Sequence, residues 1–328
     1  MKMYQLTGFD LHNLNDDAYS PIVVTKQKEA GDVFELIQHN KAEIETIVHD
    51  RGAILFRGMD IAKPETVQAF ADIMLNDVLK NNSEHVPVSE KSQVQRPVHY
   101  SPSDVLLWHN ENTFNHSFPS KAIFACETKN FEAGETPIVD SRAVYQQIPE
   151  HIKRAFIDKQ VMYVRKYEGH DLMGLGWQTI FQTTDKTEVE EKCKELNLSF
   201  EWKSENKLIT RAVRPAIYSH PDNGSTSWTN QAQHWHFSCF NEGIRAGIEL
   251  LFDEESDYPR NCYFGDGSKI PDEYMTHILS IYKQHQMQFE WQQGDLLFVD
   301  NILKAHGRNS YQGERKLLVC FGNVTSYE

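Results

Sequence analysis

Two short stretches, far apart in the chain, set the strongest condition on how it can fold. One is Trp108-His109-Asn110-Glu111-Asn112-Thr113; the other runs from Gly294-Asp295 to Ala305-His306-Gly307. An imidazole and a carboxylate two residues apart point the same way on an extended segment, because strand side chains alternate with period two. His109 and Glu111 can then reach one metal ion, and His306 on a neighbouring strand supplies a third ligand. Two histidines and a carboxylate on one face leave open positions on the metal, the arrangement used by non-heme Fe(II) oxygenases. A rival pair exists in His234-Trp235-His236, which on strand spacing alone suits zinc as well. No carboxylate or third histidine accompanies it in the sequence, so both are read as pocket or core residues.

Composition narrows the possible partners. A net charge of -14 leaves no basic face to repay phosphate contacts, which argues against nucleic acid. No run of 18 apolar residues exists to span a membrane, and Met1-Lys2-Met3-Tyr4-Gln5-Leu6 lacks the basic and apolar regions of a signal peptide. The cysteines (Cys126, Cys193, Cys239, Cys262, Cys320) are odd in number and scattered. That pattern fits reduced, buried thiols and a cytoplasmic location rather than a disulfide framework.

The periodicity predicts helices over 31–49, 64–80, 142–157 (capped by Asp140 or Ser141), 187–196 and 271–285. Strands are expected at 53–56, 122–127, 161–164, 287–291, 295–299 and 316–321, and 134–140 reads as a turn leading into another strand. The region 200–240 reads as β-rich, with a hairpin at Asp222-Asn223-Gly224-Ser225. The polar, proline-bearing segment 81–107 reads as a long loop of the kind used for lids. Many short strands with flanking helices indicate a mostly β fold with a double-sheet core, and no repeat or linker divides residues 1–328 into more than a single domain.

Five blocks in order carry a family resemblance. They are Trp108 to Glu111, Gly134-Glu135-Thr136-Pro137-Ile138-Val139-Asp140-Ser141-Arg142, Trp228-Thr229-Asn230-Gln231-Ala232, Pro259-Arg260-Asn261-Cys262-Tyr263-Phe264-Gly265-Asp266-Gly267-Ser268, and Gly294 through Arg308. Together they resemble the TauD/TfdA family of Fe(II)/2-oxoglutarate-dependent oxygenases, from about residue 50 to the end. Within it the chain is similar to the branch typified by the syringomycin-pathway aspartyl hydroxylase.

The resemblance implies a double-stranded β-helix (jelly roll) core, with O2 as co-reactant. It implies iron ligation by His109, Glu111 and His306, and contact of Thr136 with 2-oxoglutarate. Arg315, in Gly313-Glu314-Arg315-Lys316, matches the arginine for the distal carboxylate of 2-oxoglutarate, with Arg308 as the alternative. Arginine suits that carboxylate because its planar fork is permanently charged. Taurine-binding members carry a further arginine where this chain has Leu317-Leu318-Val319-Cys320, so a sulfonate substrate is not expected. Halogenating relatives lack the carboxylate ligand, so Glu111 points to hydroxylation or desaturation. Trp108, Asn230, Gln231 and His236 are candidate substrate-pocket residues. The expected substrate is an amino acid or a derivative, free or tethered to a peptidyl carrier protein. Ring formation and oxidative cleavage use the same ligands. From other classes, a zinc hydrolase and a catalytically silent carrier-docking protein stay open.

Overall fold

The computed structural model describes residues 4–79, 85–89, 92–98, 100–167 and 176–327. The largest sheet has eight strands, in the order Phe9–Asn13, Ile22–Lys26, Ala53–Arg57, Leu296–Asp300, Ser117–Ala133, Tyr311–Ser326, Gln95–Arg96 and Val86–Pro87. A three-stranded sheet orders Leu106–His109, Lys304–Arg308 and Ile138–Asp140. A four-stranded sheet orders Ser199–Trp202, Leu208–Arg214, Val161–Tyr167 and Arg260–Phe264.

The near-continuous apolar runs of the central strands follow from burial on both faces. Ile54, Phe56, Ile123 and Phe298 pack outward against Ile44, Val67 and Phe70 of the N-terminal helices. Their alternates Leu55, Phe124 and Leu297 turn inward, toward Ile138 of the three-stranded sheet and Trp291. Helices outside and a second sheet inside make the expected double-stranded β-helix with helical cover. Phe70 meets Phe56 and Phe298 edge-on at 5.2 and 5.5 Å, contacts worth roughly 0.5–1.5 kcal/mol each beyond their area.

Several elements depart from the sequence expectation. The helix expected over 31–49 is two helices, Val33–His39 and Lys41–Arg51. Between them the side chain of Asn40 accepts from the backbone N–H of Thr7 (2.7 Å) and donates to Thr7 O (3.0 Å). Residues 142–157 likewise divide into Ser141–Gln147 and Glu150–Lys159, with Pro149 as the second N-cap. The helix from Pro64 stops at Met74. The expected strand at 287–291 is reduced to one bridge, between Met287 and Ile138. The β-rich region ends at Trp228, after the hairpin of Ile217–Ser219 with Thr226–Trp228. Beyond it a short helix covers Ala232–Trp235. The segment 81–107 falls partly outside the described residues; its described part pairs Val86–Pro87 with Gln95–Arg96 at the sheet edge.

The five cysteines form no disulfide. Among the described residues, no helix is long and apolar enough to cross a membrane.

Candidate active site

Strand Lys304–Arg308 lies antiparallel to Leu106–His109, with His306 directly opposite His109. Opposed residues on antiparallel strands project to the same face, and the two rings meet with centroids 4.5 Å apart. Gly307 permits this approach: a Cβ there would sit 2.6 Å from the carbonyl oxygen of Leu106.

Glu111 arrives by a different route from the one expected. The strand ends at His109, and Glu111 lies in the tight turn that follows, where Asn112 has φ of 59°. The turn, not a shared strand face, aims the carboxylate. Asn301 holds it. Its Oδ1 accepts from Glu111 N (2.6 Å), and its Nδ2 donates to the carbonyls of Glu111 (3.0 Å) and Pro119 (2.7 Å). Asn110 Nδ2 in turn donates to Asn301 O at 2.6 Å. Sequence reasoning gave Asn301 no role; its one signal was an amide closing the apolar run Leu296-Leu297-Phe298-Val299.

Glu111 Oε2 lies 3.7 Å from His109 Nε2 and 3.6 Å from His306 Nε2. Both separations exceed a hydrogen bond, so the three atoms surround a space rather than bond one another. All three residues are buried, and each offers one ligand atom within 4.8 Å of the others. His109 Nδ1 lies 2.9 Å from Leu107 O. A proton on that nitrogen leaves Nε2 with its lone pair for a metal. Burial pushes His306 down to about 4, so its ring is neutral at pH 7. Burial alone would raise Glu111; the facing imidazoles outweigh it and hold the carboxyl well below its usual range. Two imidazole nitrogens and one carboxylate are a donor set that fits Fe(II).

A second group of ligand-type residues, His49, His220 and Asp300, does not have this character. His220 Nε2 faces Asp300 Oδ2 at 2.9 Å, and its Nδ1 accepts from Asp222 N at 3.2 Å. The ammonium of Lys121 already contacts the same Asp300 oxygen, at 2.5 Å. Asp300 is thus already committed to an ionic network with Lys121 and His220.

The three clustered residues open onto a cavity of about 490 Å³. On one side, Arg315 Nε donates to Gly134 O (2.9 Å) and Nη2 to Thr136 Oγ1 (3.3 Å), while Trp291 Nε1 also donates to Thr136 Oγ1 (3.0 Å). Having accepted twice, Thr136 retains its hydroxyl proton to give to an acceptor in the cavity. Arg315 forms no ion pair with a described residue. Burial pushes its guanidinium down to about 10, still charged at pH 7. Arg308 spends its terminal nitrogens on the carbonyls of Tyr100 (3.2 Å), Ser101 (2.6 Å) and Asp104 (2.7 Å), so it fastens that segment beside the cavity.

Of the four expected substrate residues, Gln231 lines the cavity and donates to Asn110 O at 2.5 Å. The other three lie elsewhere. Trp108, one residue before His109, alternates to the opposite face and stacks on Tyr282 at 5.5 Å. Asn230 is a turn residue: its Nδ2 donates to Ala216 O and its Oδ1 accepts from Ala232 N. His236 sits between Ser238 Oγ (2.8 Å) and Ile270 O (3.1 Å), because a helix separates it from His234 instead of a strand. His234 stacks on His109 at 5.0 Å and does line the cavity. Sequence reasoning missed His85, Arg165 and Arg260 as lining residues. Arg260 alone had a signal, its place in the resemblance block from Pro259 to Ser268.

A family model described as "Taurine catabolism dioxygenase TauD, TfdA family" matches residues 19–321. Dapdiamide synthesis protein DdaC of Enterobacter agglomerans is 31% identical over 299 residues, covering 91% of this chain and 89% of that protein. A clavaminate synthase-like protein of Arabidopsis thaliana is 27% identical over 295 residues, covering 87% and 85%. Among solved structures, PvcB of Pseudomonas aeruginosa superposes with a TM-score of 0.56 at 13% identity, covering 98% of this chain and 94% of its own. PvcB is described as an Fe, alpha-ketoglutarate dependent oxygenase from an isonitrile synthetic pathway.

Proposed function

Because this chain belongs to the TauD/TfdA family of Fe(II)/2-oxoglutarate-dependent oxygenases, we propose that it hydroxylates an unactivated C–H bond of an amino acid or amino-acid-derived substrate in secondary metabolism. The substrate is free or presented by a peptidyl carrier protein, and residues 1–328 act as one oxygenase domain. The observation that carries this reading is the meeting of His109, Glu111 and His306 in one cavity with Thr136 and Arg315. The relative from dapdiamide synthesis supports the metabolic setting.

In this reading His109, Glu111 and His306 hold the iron, and the Leu107 carbonyl keeps His109 in the right tautomer. Arg315 grips the distal carboxylate of 2-oxoglutarate while Thr136 donates its hydroxyl proton to it. Iron and 2-oxoglutarate together supply the activation of dioxygen, which no side chain provides. The protein's remaining task is placement. Asn301 fixes the turn that aims Glu111, and Phe124, tilted against His306 at 4.6 Å, gives the site an apolar wall that excludes water. Glu111 fills the third ligand position, which supports oxygen transfer over halide transfer.

The test is aerobic incubation with Fe(II), 2-oxoglutarate and a panel of amino acids and their carrier-protein thioesters. One succinate released per hydroxylated product is expected, with at least a hundredfold loss in Glu111→Ala. Turnover of substrate by the zinc-loaded protein without 2-oxoglutarate would assign it to hydrolysis instead.

A further inference from the structure

The inward face of the four-stranded sheet is built from alternate residues. Val161 pairs with Phe264, Tyr163 with Cys262, and Arg165 with Arg260. The first two pairs are buried in the core. Strand alternation therefore sets two arginines on the same inward face, directly across the ladder from each other, at its cavity end. Like charges in that position are destabilising on their own. Both residues line the cavity that holds the His109–Glu111–His306 cluster.

Cationic side chains outnumber carboxylates among the described residues of the cavity wall. Among its described lining residues, Glu111 is the one carboxylate, in a chain of net charge -14. Arg96 is matched by Glu127 (2.5 Å) and Lys316 by Glu314 (2.7 Å). Arg308 is engaged by carbonyls, and Arg315 lies beside Thr136. Arg260 has neither an ion pair nor a hydrogen bond among the described residues; its guanidinium lies over the Phe240 ring at 4.9 Å. Stacking on a ring holds the group in place and leaves its N–H fork available.

We propose that Arg260 forms a second anion subsite that takes a carboxylate of the substrate. The inference rests on the oxygenase reading above and specifies its substrate class: a small acid rather than a neutral molecule. The planar fork favours a carboxylate held bidentately, and the cavity is large enough for such an acid beside the cosubstrate.

Anaerobic calorimetry on the Fe(II)- and 2-oxoglutarate-loaded protein tests it. The probes are L-aspartate and L-glutamate against L-asparagine and L-glutamine, together with the N-acetylcysteamine thioesters of aspartate and asparagine. At least one acid binds the wild type at least tenfold more tightly than its amide. Arg260→Gln lowers that preference below threefold, and Arg260→Lys, which keeps the charge without the fork, gives an intermediate value. If the thioesters show the same preference, the carboxylate is that of the side chain; if only the free acids do, it is the α-carboxylate. Equal affinity for acids and amides in the wild type, absence of binding included, overturns the subsite, as does an unchanged preference in Arg260→Gln. Failure of the wild type to bind 2-oxoglutarate is a separate result, and it overturns the oxygenase reading together with the subsite.

Discussion

Arg315 illustrates why single positions in this cavity tolerate little exchange. Its fork donates at once to Gly134 O and Thr136 Oγ1, and its charge sits between the rings of Phe131 and Tyr311, each 5.7 Å away. Lysine keeps the charge and loses the fork. Arg315→Lys is expected to raise the KM for 2-oxoglutarate at least tenfold with a smaller change in kcat, measured by succinate release. His306 makes a statement about pH. Its folded value of about 4 lies below the unfolded value near 6.5. Between those values the unfolded chain takes up a proton that the folded, metal-free protein refuses, so stability falls as pH drops from 6.5 to 4. The loss is up to about 3 kcal/mol. Urea titrations of the metal-free protein across that range should show it, and His306→Gln should flatten the difference.

At the scale of elements, the turn after Leu106–His109 and the segment joining Leu296–Asp300 to Lys304–Arg308 are tied through one amide. Replacing Asn301 by alanine leaves Glu111 N, Glu111 O and Pro119 O without that partner in a buried place. A destabilisation of about 2–3 kcal/mol is expected, with weaker Fe(II) affinity as the readout that distinguishes aim from bulk stability. Lys304 shows the other kind of buried constraint. It is fully buried, pairs with Asp140 at 2.9 Å, and donates to Tyr19 O at 2.7 Å. It also occupies the space beside Gly52, where a Cβ would lie 2.6 Å from the lysine chain. Lys304→Ala breaks a buried ion pair and should cost about 3–5 kcal/mol in chemical denaturation. The elements were partly legible in sequence. The apolar runs at 53–56, 122–127 and 316–321 are strands, because burial on both faces leaves a signal that needs no context. The breaks at Asn40 and Pro149 were not anticipated, since Asn40 acts through Thr7, a partner distant in sequence.

Over the whole molecule, the eight-stranded order places Leu296–Asp300 and Ser117–Ala133 in the interior of the sheet, each hydrogen-bonded on both sides. Hydrogen exchange should therefore be slowest in these two strands and fastest in Phe9–Asn13 at the edge. Protection in Phe9–Asn13 equal to that of the central strands would contradict this topology. The sequence by itself determined the ligand-type residues and the apolar alternation that makes the core, because side-chain chemistry is a local property and strand period a local pattern; the arginine and threonine opposite the ligands came only with the family resemblance. Tertiary structure decided the rest. It set Glu111 on a turn rather than a strand, sent Trp108, Asn230 and His236 away from the cavity, and brought Arg165 and Arg260 into register on its wall. Facing and register depend on which strands pair and where a helix interrupts them, and that is settled by packing between segments far apart in the chain.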